Sequence, residues 1–420
     1  MFKTFGQLFK RSNKDLRKRI YFTLFCLAIF ACGTTITVSW ISSAYEEYGF
    51  LEIYNLMAGG GLKSFSIFAL GVTPYINAQI ITQLLQMDII PYFKELKEEG
   101  YTGKQKINKI TRYLGIFLAF VQGYIFTRVY SGQTDAMLIV KTTVVFTAGT
   151  SLLLWIGDRI TKNGIGNGLS LLIMAGILQS LPLIFKEAFN SLITSGTFKT
   201  GVGIALFAAF VLVYLLIVVG IIWVQLAERR IPIQYANRTN SAYGGHQNYL
   251  PIKINSAGVI PVIFATMLLS LPGTIVNFIG NEKAIQFCEK YIANTTLTGF
   301  ILYIVLIFLF GYFYTFLEMN PEEMAKNLNK NGAYIPGVRP GDATIEYVSN
   351  VLSKLTIVGA LFLVIIAALP ILFTKFSGLS SSVTIGGTGL LIVVGVAIET
   401  YKQLESSLVS RSHRFGVNKK

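Results

Sequence analysis

The soft metal ligands and strong nucleophiles of this chain are few. His246 and His413 are its two histidines, and Cys26, Cys32 and Cys288 its three cysteines. None stands at a metal-ligand spacing, and the chain contains neither a nucleophile elbow nor a glycine-rich phosphate loop. Cys26 and Cys32 lie in an apolar run and read as small buried side chains. Cys288 stands alone in a connection, so no disulfide framework is implied. Enzymatic chemistry is therefore a poor reading. Two other features stand out. Gly71-Val72-x-Pro74-x-Ile76, in "ALGVTPYINAQIITQLL", recurs as Gly258-Val259-x-Pro261-x-Ile263 in "AGVIPVIFATMLL". Glycine relaxes the backbone and proline removes a donor, so each motif interrupts an otherwise apolar segment. The second feature is two long polar connections in which arginines mix with tyrosines and turn formers.

The elements that carry these features are membrane spans. The chain has 420 residues, 53% of them hydrophobic and only 14% charged, against roughly 25% charged in soluble proteins. Its mean hydropathy is +0.57. Ten apolar stretches recur: Ile20–Trp40, Phe65–Leu85, Tyr113–Phe126, Thr142–Ile156, Leu169–Phe185, Val202–Val224, Ile254–Leu271, Leu297–Leu317, Leu355–Phe373 and Val383–Ile398. Lipid offers no partner to backbone polar groups, so these predict helices, with the third and fourth extending into their flanks. The short alternating segments of a membrane barrel are absent. The first stretch is too long for a signal core and lacks a small-residue cleavage site, and reads as a retained span.

Lysine and arginine concentrate at the N-terminus, in the connections 88–112, 157–168, 226–253 and 318–354, and in the tail from Glu399. That alternation places these segments and both termini in the cytoplasm. Five spans precede about residue 190 and five follow. An odd number per half forces the halves, 1–188 and 189–420, to enter the membrane in opposite directions. The two Gly-Pro motifs fall in the second span of each half, which is the pattern of an inverted repeat with its functional pathway between the halves. Within the ten stretches there is no Asp, Glu, Lys, Arg or His. Ion-coupled transporters and pumps keep such a group at depth, so that class is disfavoured, while a membrane scaffold or insertase without a through-pore stays open.

"QLAERRIPIQYANRTNSAYGGHQNYLPIKIN" (Gln225–Asn255) combines Arg229, Arg230 and Arg238 with Tyr235, Tyr243 and Tyr249. "NPEEMAKNLNKNGAYIPGVRPGDATIEYV" (Asn320–Val348) sets Arg339 among glycines and prolines. Positive-inside charge accounts for the lysines, but not for this length and turn chemistry. The loops predict a docking surface for an acidic protein face or RNA phosphate.

The segments "GGGLKSFSIFALGVTPYI", "GDRITKNGIGNGLSLLIMAGI", "ERRIPIQYANR", "KINSAGVIPVIFA", "NGAYIPGVRPGDAT" and "TGLLIVVGVAIET" resemble, in order and over nearly the whole chain, the SecY family of protein-conducting channel subunits. The first span differs: "FACGTTITVSWISS" lacks the arginine and the proline-rich turn often found there. The resemblance implies an all-α membrane protein of ten transmembrane helices, in two inverted five-helix halves around an hourglass pore. It implies a re-entrant plug helix formed by Gly60, Gly61, Leu62, Lys63, Ser64, Phe65, Ser66, Ile67, Phe68, Ala69 and Leu70. It places Val72, Ile76, Ile173, Ile177, Ile263 and Ile392 in a pore ring, and Thr82, Gln122 and Asn255 at a lateral gate between the second and seventh spans. Arg229, Arg230, Arg238 and Arg339 become docking residues. The implied function is a passive channel that passes unfolded secretory chains across the membrane and releases membrane segments sideways. The alternative is a divergent accessory channel of the same type with a restricted substrate set. SecE and SecG subunits, the SecA motor, a ribosome, signal sequences with their unfolded preproteins, and membrane lipid are the implied partners. No cofactor or metal is implied.

Overall fold

The computed structural model describes residues 14–41, 55, 58–86, 90–130, 135–194, 200–235, 248–279, 282–292, 296–377 and 381–417. Each of the ten apolar stretches lies wholly or partly on a helix, Phe65–Leu85 only from Thr73 and Ile254–Leu271 only from Ile260. These helices are α1 (Lys14–Thr35), α2 (Thr73–Leu85), α4 (Tyr101–Tyr130), α5 (Ala136–Asn163), α6 (Gly168–Phe189), α7 (Thr200–Leu226), α8 (Ile260–Ile279), α10 (Leu297–Glu318), α12 (Asp342–Ser377) and α13 (Ser381–Val417). Three short helices stand between them: α3 (Pro91–Glu98), α9 (Glu282–Tyr291) and α11 (Pro321–Lys330). Among the described residues, α4, α5, α6, α7, α10 and α12 are long and apolar enough to cross a membrane by themselves. α4 and α5 run well past the third and fourth stretches on both sides.

Local chemistry sets several boundaries. The side chains of Asp135, Asn167, Thr296 and Asn320 accept from the amides of Met137, Leu169, Gly299 and Glu322, capping α5, α6, α10 and α11. Each bond satisfies one of the orphan donors at a helix start. Along α7, Leu212, Leu215, Leu216, Val219 and Trp223 are all exposed. An apolar helix with a bare apolar face has lipid as its natural neighbour.

The helices pair in the same order in both halves. In the first, α2 packs on α4, α4 on α5 and α5 on α6, while α1 lies against α5 and α6. In the second, α8 packs on α10, α10 on α12 and α12 on α13, while α7 lies against α12 and α13. With five crossings in each, the two sets run in opposite directions. They join mainly where α6 runs along α13, and touch more lightly where α4 meets α8. One large apolar cluster runs through both halves.

At the basic end, strands β1 (Glu228–Tyr235), β2 (Asn248–Lys253) and β3 (Ala333–Tyr334) form an antiparallel sheet in the order β2-β1-β3. Arg229 pairs with Ile252 and Tyr235 with Ala333. The sheet rests on a second core of Ile231, Ile252, Leu328, Ala333, Ile335, Val348 and Leu352. The two polar connections are thus one folded module. α12 supplies Val348 and Leu352 to this core and Leu363, Ile366 and Ala367 to the main one, so a single helix links them.

The segment read as a plug helix differs from that expectation. Gly60 to Leu70 is re-entrant and mostly buried, yet it is a succession of turns. Gly59 and Gly60 hold φ of +66° and +81°, and Phe65 holds +46°. Left-handed residues at this spacing prevent a continuous right-handed helix.

Candidate functional site

The two Gly-Pro motifs do the same thing in each half. Gly71 takes φ +55° and Gly258 φ +64°. In both cases a helix begins two residues later with proline as its second residue: Pro74 in α2 and Pro261 in α8. The amides of Tyr75 and Ile76 donate to the Val72 carbonyl at 3.1 and 3.2 Å. Those of Val262 and Ile263 donate to Val259 at 3.1 and 3.4 Å. Proline fits there because the first amides of a helix lack an internal partner anyway. Each glycine carbonyl is then satisfied by a side chain. Thr150 Oγ1 donates to Gly71 at 3.3 Å, and Asn255 Nδ2 donates to Gly258 at 2.9 Å.

Val72, Ile76 and Ile263 stand at these breaks, while Ile173, Ile177 and Ile392 come from unbroken neighbouring helices. Val72, Ile76, Ile173, Ile177 and Ile392 are buried and belong to the main apolar cluster; Ile263 is half-buried and packs against it. They come from α2 with its N-cap, α6, α8 and α13, two helices from each half. The i, i+4 spacings of Val72 with Ile76 and of Ile173 with Ile177 put each pair on one face. Burying such a side chain is worth about 1.5–3 kcal/mol, and none of the six offers a hydrogen bond to anything passing.

The turn-rich segment is held by the first half. Val38 N donates to Phe65 O at 3.0 Å and Ile67 N to Ile36 O at 3.0 Å, an antiparallel bridge pairing Thr37 with Ser66. Phe65 lies against Phe126 of α4 and Phe146 of α5, with ring centroids 5.3 and 6.5 Å away. Phe68 stacks on Phe30 of α1 at 6.2 Å. Gln179 of α6 donates to Thr34 of α1 at 2.8 Å, and its Oε1 would sit only 2.8 Å from a Cβ added at Gly59. The aromatic box and the bridge bring together residues far apart in sequence, and no local pattern announces them.

The three residues read as gate contacts are placed otherwise. Thr82, on α2, accepts from Thr111 of α4 at 3.0 Å, a bond inside one half. Asn255 braces the Gly258 turn. Gln122 is half-buried on α4. No bond joins these three in this conformation. Across the same boundary, the Gln83 side chain of α2 lies close enough to Tyr314 of α10 to act on its hydroxyl, while Gln83 Oε1 is buried without a hydrogen-bond partner. Sequence reading missed that pair, because glutamine and tyrosine are ordinary in spans and only packing brings them together.

In the module, Arg229 and Arg230 are exposed on β1. Arg339 is exposed in a turn flanked by Gly337 at φ +81° and Gly341 at φ +106°, and its carbonyl accepts from Thr344 Oγ1 at 2.8 Å. Arg238 lies outside the described residues. Lys402 Nζ of α13 donates to Glu228 Oε1 at 3.2 Å, tying the first strand to the helix that carries Ile392. Among the described residues, no group of His, Cys, Asp and Glu could hold a metal.

Comparison with known proteins agrees with this geometry. The SecY family model matches residues 66–401. The protein translocase subunit SecY of Bacillus subtilis is 43% identical over 428 residues, spanning 99% of both chains. A solved protein-conducting channel superposes with a TM-score of 0.69 at 20% identity, covering 95% of this chain and 94% of the other. Sec61 from the canine ribosome-channel complex of the endoplasmic reticulum superposes with a TM-score of 0.64 at 19% identity, covering 95% and 94%. Matched in sequence along its whole length and in the arrangement of its helices, the chain belongs to the SecY family.

Proposed function

We propose that this protein is a passive protein-conducting channel of the cytoplasmic membrane, with both termini in the cytoplasm. Unfolded secretory chains pass between its halves, 1–188 and 189–420, and apolar segments leave sideways between α2 and α4 on one side and α8 and α10 on the other. The observation that carries this reading is the matched pair of helix breaks, which place aliphatic side chains from both halves in one buried cluster. No Asp, Glu, Lys, Arg or His occurs in the ten apolar stretches to couple transport to an ion.

In this reading Val72, Ile76, Ile173, Ile177, Ile263 and Ile392 are the closed waist. They exclude water at rest and present no fixed hydrogen bond to a moving chain. Gly60 to Leu70 is the plug beside it. Gln83, Tyr314 and Thr82 contribute the polar part of the gate. Uncharged bonds in membranes average only about 0.6 kcal/mol, which suits a seam that must open. The chain carries no nucleotide-binding motif, so the driving force comes from a partner. The exposed arginines of the module fit acidic protein or RNA phosphate. We assign to them a SecA-type motor and the ribosome, with SecE- and SecG-type subunits completing the complex around signal sequences, preproteins and lipid. Sec61, a structural relative, comes from a ribosome-channel complex.

Import of an unfolded preprotein into vesicles containing the reconstituted complex, motor and ATP tests the reading. Protected full-length preprotein is the expected product. Vesicles that import none, but accumulate a small solute, would contradict it.

A further inference from the structure

We propose that α9 is an interfacial anchor, whose exposed Phe287, Lys290 and Tyr291 bind the headgroup boundary of an anionic phospholipid bilayer. The inference needs only that α8 and α10 cross a membrane, and does not depend on the channel reading.

The sequence of α9, "EKAIQFCEKY", is amphipathic. Its less exposed side carries Ala284, Ile285 and Cys288, and the following Ile292 packs against the main core. The other side carries Phe287 and Tyr291 at i, i+4, which are 58% and 43% exposed. Their rings lie 4.9 Å apart, and Lys290 Nζ stands 5.6 Å from the Tyr291 ring centre. Two packed aromatics facing outward make a small apolar surface that lipid would cover.

The depth of α9 is fixed by its neighbours. It follows the end of α8 remote from β2, and Thr298 Oγ1 of α10 donates to the Tyr291 carbonyl at 2.8 Å. The apolar run of α10 starts at Leu297, which is 68% exposed and so marks the hydrocarbon edge. Tyr291 is therefore pinned at that edge, where tyrosine is enriched in membrane proteins. Leu268, Ile275, Leu297 and Ile301 are exposed on α8 and α10, the two helices against which α9 packs. An amphipathic helix in that position lies in the interface plane. Although Glu282 and Glu289 offset Lys283 and Lys290 over the whole of α9, Lys290 is the cation beside its aromatics and draws anionic headgroups there. Because α9 joins α8 to α10, the anchor would hold both helices at one depth while leaving them free to move sideways.

The test is spin-label accessibility in the full-length complex, with Cys26, Cys32 and Cys288 replaced by alanine. Labels are placed at Phe287→Cys, at Tyr291→Cys as an independent second site, and at Gln286→Cys as the exposed polar reference. The vesicles are phosphatidylcholine, with or without phosphatidylglycerol. The expected ratio of oxygen to nickel-chelate accessibility is several-fold higher at 287 and 291 than at 286. It should rise further with phosphatidylglycerol, and Lys290→Gln should remove that rise. Nickel accessibility at 287 and 291 equal to that at 286 would overturn the proposal. So would exclusion of both reagents with an immobilised line shape, since that marks a protein partner in place of lipid.

Discussion

Gly71 and Gly258 occupy equivalent positions in the two halves, each with a left-handed φ, +55° and +64°, two residues ahead of a helix whose second residue is proline. Their surroundings differ, and that separates the consequences of substitution. A Cβ at Gly71 would lie 3.2 Å from the Ala58 Cα, whereas none of the described atoms lies within 4 Å of one at Gly258. Both alanine variants carry the backbone penalty of about 1–2 kcal/mol for a left-handed residue. Gly71→Ala carries the crowding as well. Thermal unfolding of the purified complex should show both variants destabilised, Gly71→Ala more so. Equal losses would mean that the contact with Ala58 relaxes freely.

In the proposed reading Gly60 to Leu70 is a plug, and leaving its seat would require it to break its bridge to the end of the first span. Thr37 and Ser66 face each other as a non-hydrogen-bonded antiparallel pair, for which Cα atoms stand about 4.5 Å apart. That spacing accepts a disulfide. Thr37→Cys with Ser66→Cys, in a background lacking the native cysteines, should cross-link on oxidation. Preprotein import should then fall several-fold and recover on reduction. Full import by the oxidised channel would show that the plug can stay bridged during translocation.

Arg339 is presented by a turn whose flanking glycines hold φ values closed to most side chains. Arg339→Glu should reduce motor-driven import by an order of magnitude or more, with the protein still folded and inserted. Lys326, Lys330 and Lys354 remain to set topology. An unaltered import rate would remove Arg339 from the coupling surface.

Arg229 and Arg230 stand on the strand that joins both other strands of the sheet. Reversing both charges should weaken binding of the motor or ribosome, with the difference from wild type shrinking as salt rises. Identical binding by the double variant at low salt would count against their role.

How much of this was legible in the sequence depends on the range of the interaction. The ten helices were, because a span needs only a local apolar run, and the helix breaks were, because glycine and proline act on their own backbone. The sheet was not. "ERRIPIQY" pairs with strands formed by Asn248–Lys253 and Ala333–Tyr334, and no local pattern reports that pairing. Gly60 to Leu70, which the sequence reads as a helix, is turned instead, since Phe65 adopts a positive φ that its side chain does not advertise. Thr82 and Asn255 were singled out as polar residues near a seam. Their partners proved to be Thr111 and Gly258, a matter of side-chain direction that sequence does not hold. The waist residues became candidates through family resemblance alone, because one buried isoleucine reads like another.

The central claim is that a waist of aliphatic side chains seals the resting channel by packing alone. It is tested most directly by single-channel conductance of the complex in planar bilayers, with no translocating chain, after Ile76→Asn is combined with Ile263→Asn. The account predicts that the double variant wets the constriction and conducts ions at rest. Wild type and Ile177→Leu, which keeps volume and apolarity, should stay closed. A double variant as silent as wild type would contradict it and place the permeation barrier elsewhere.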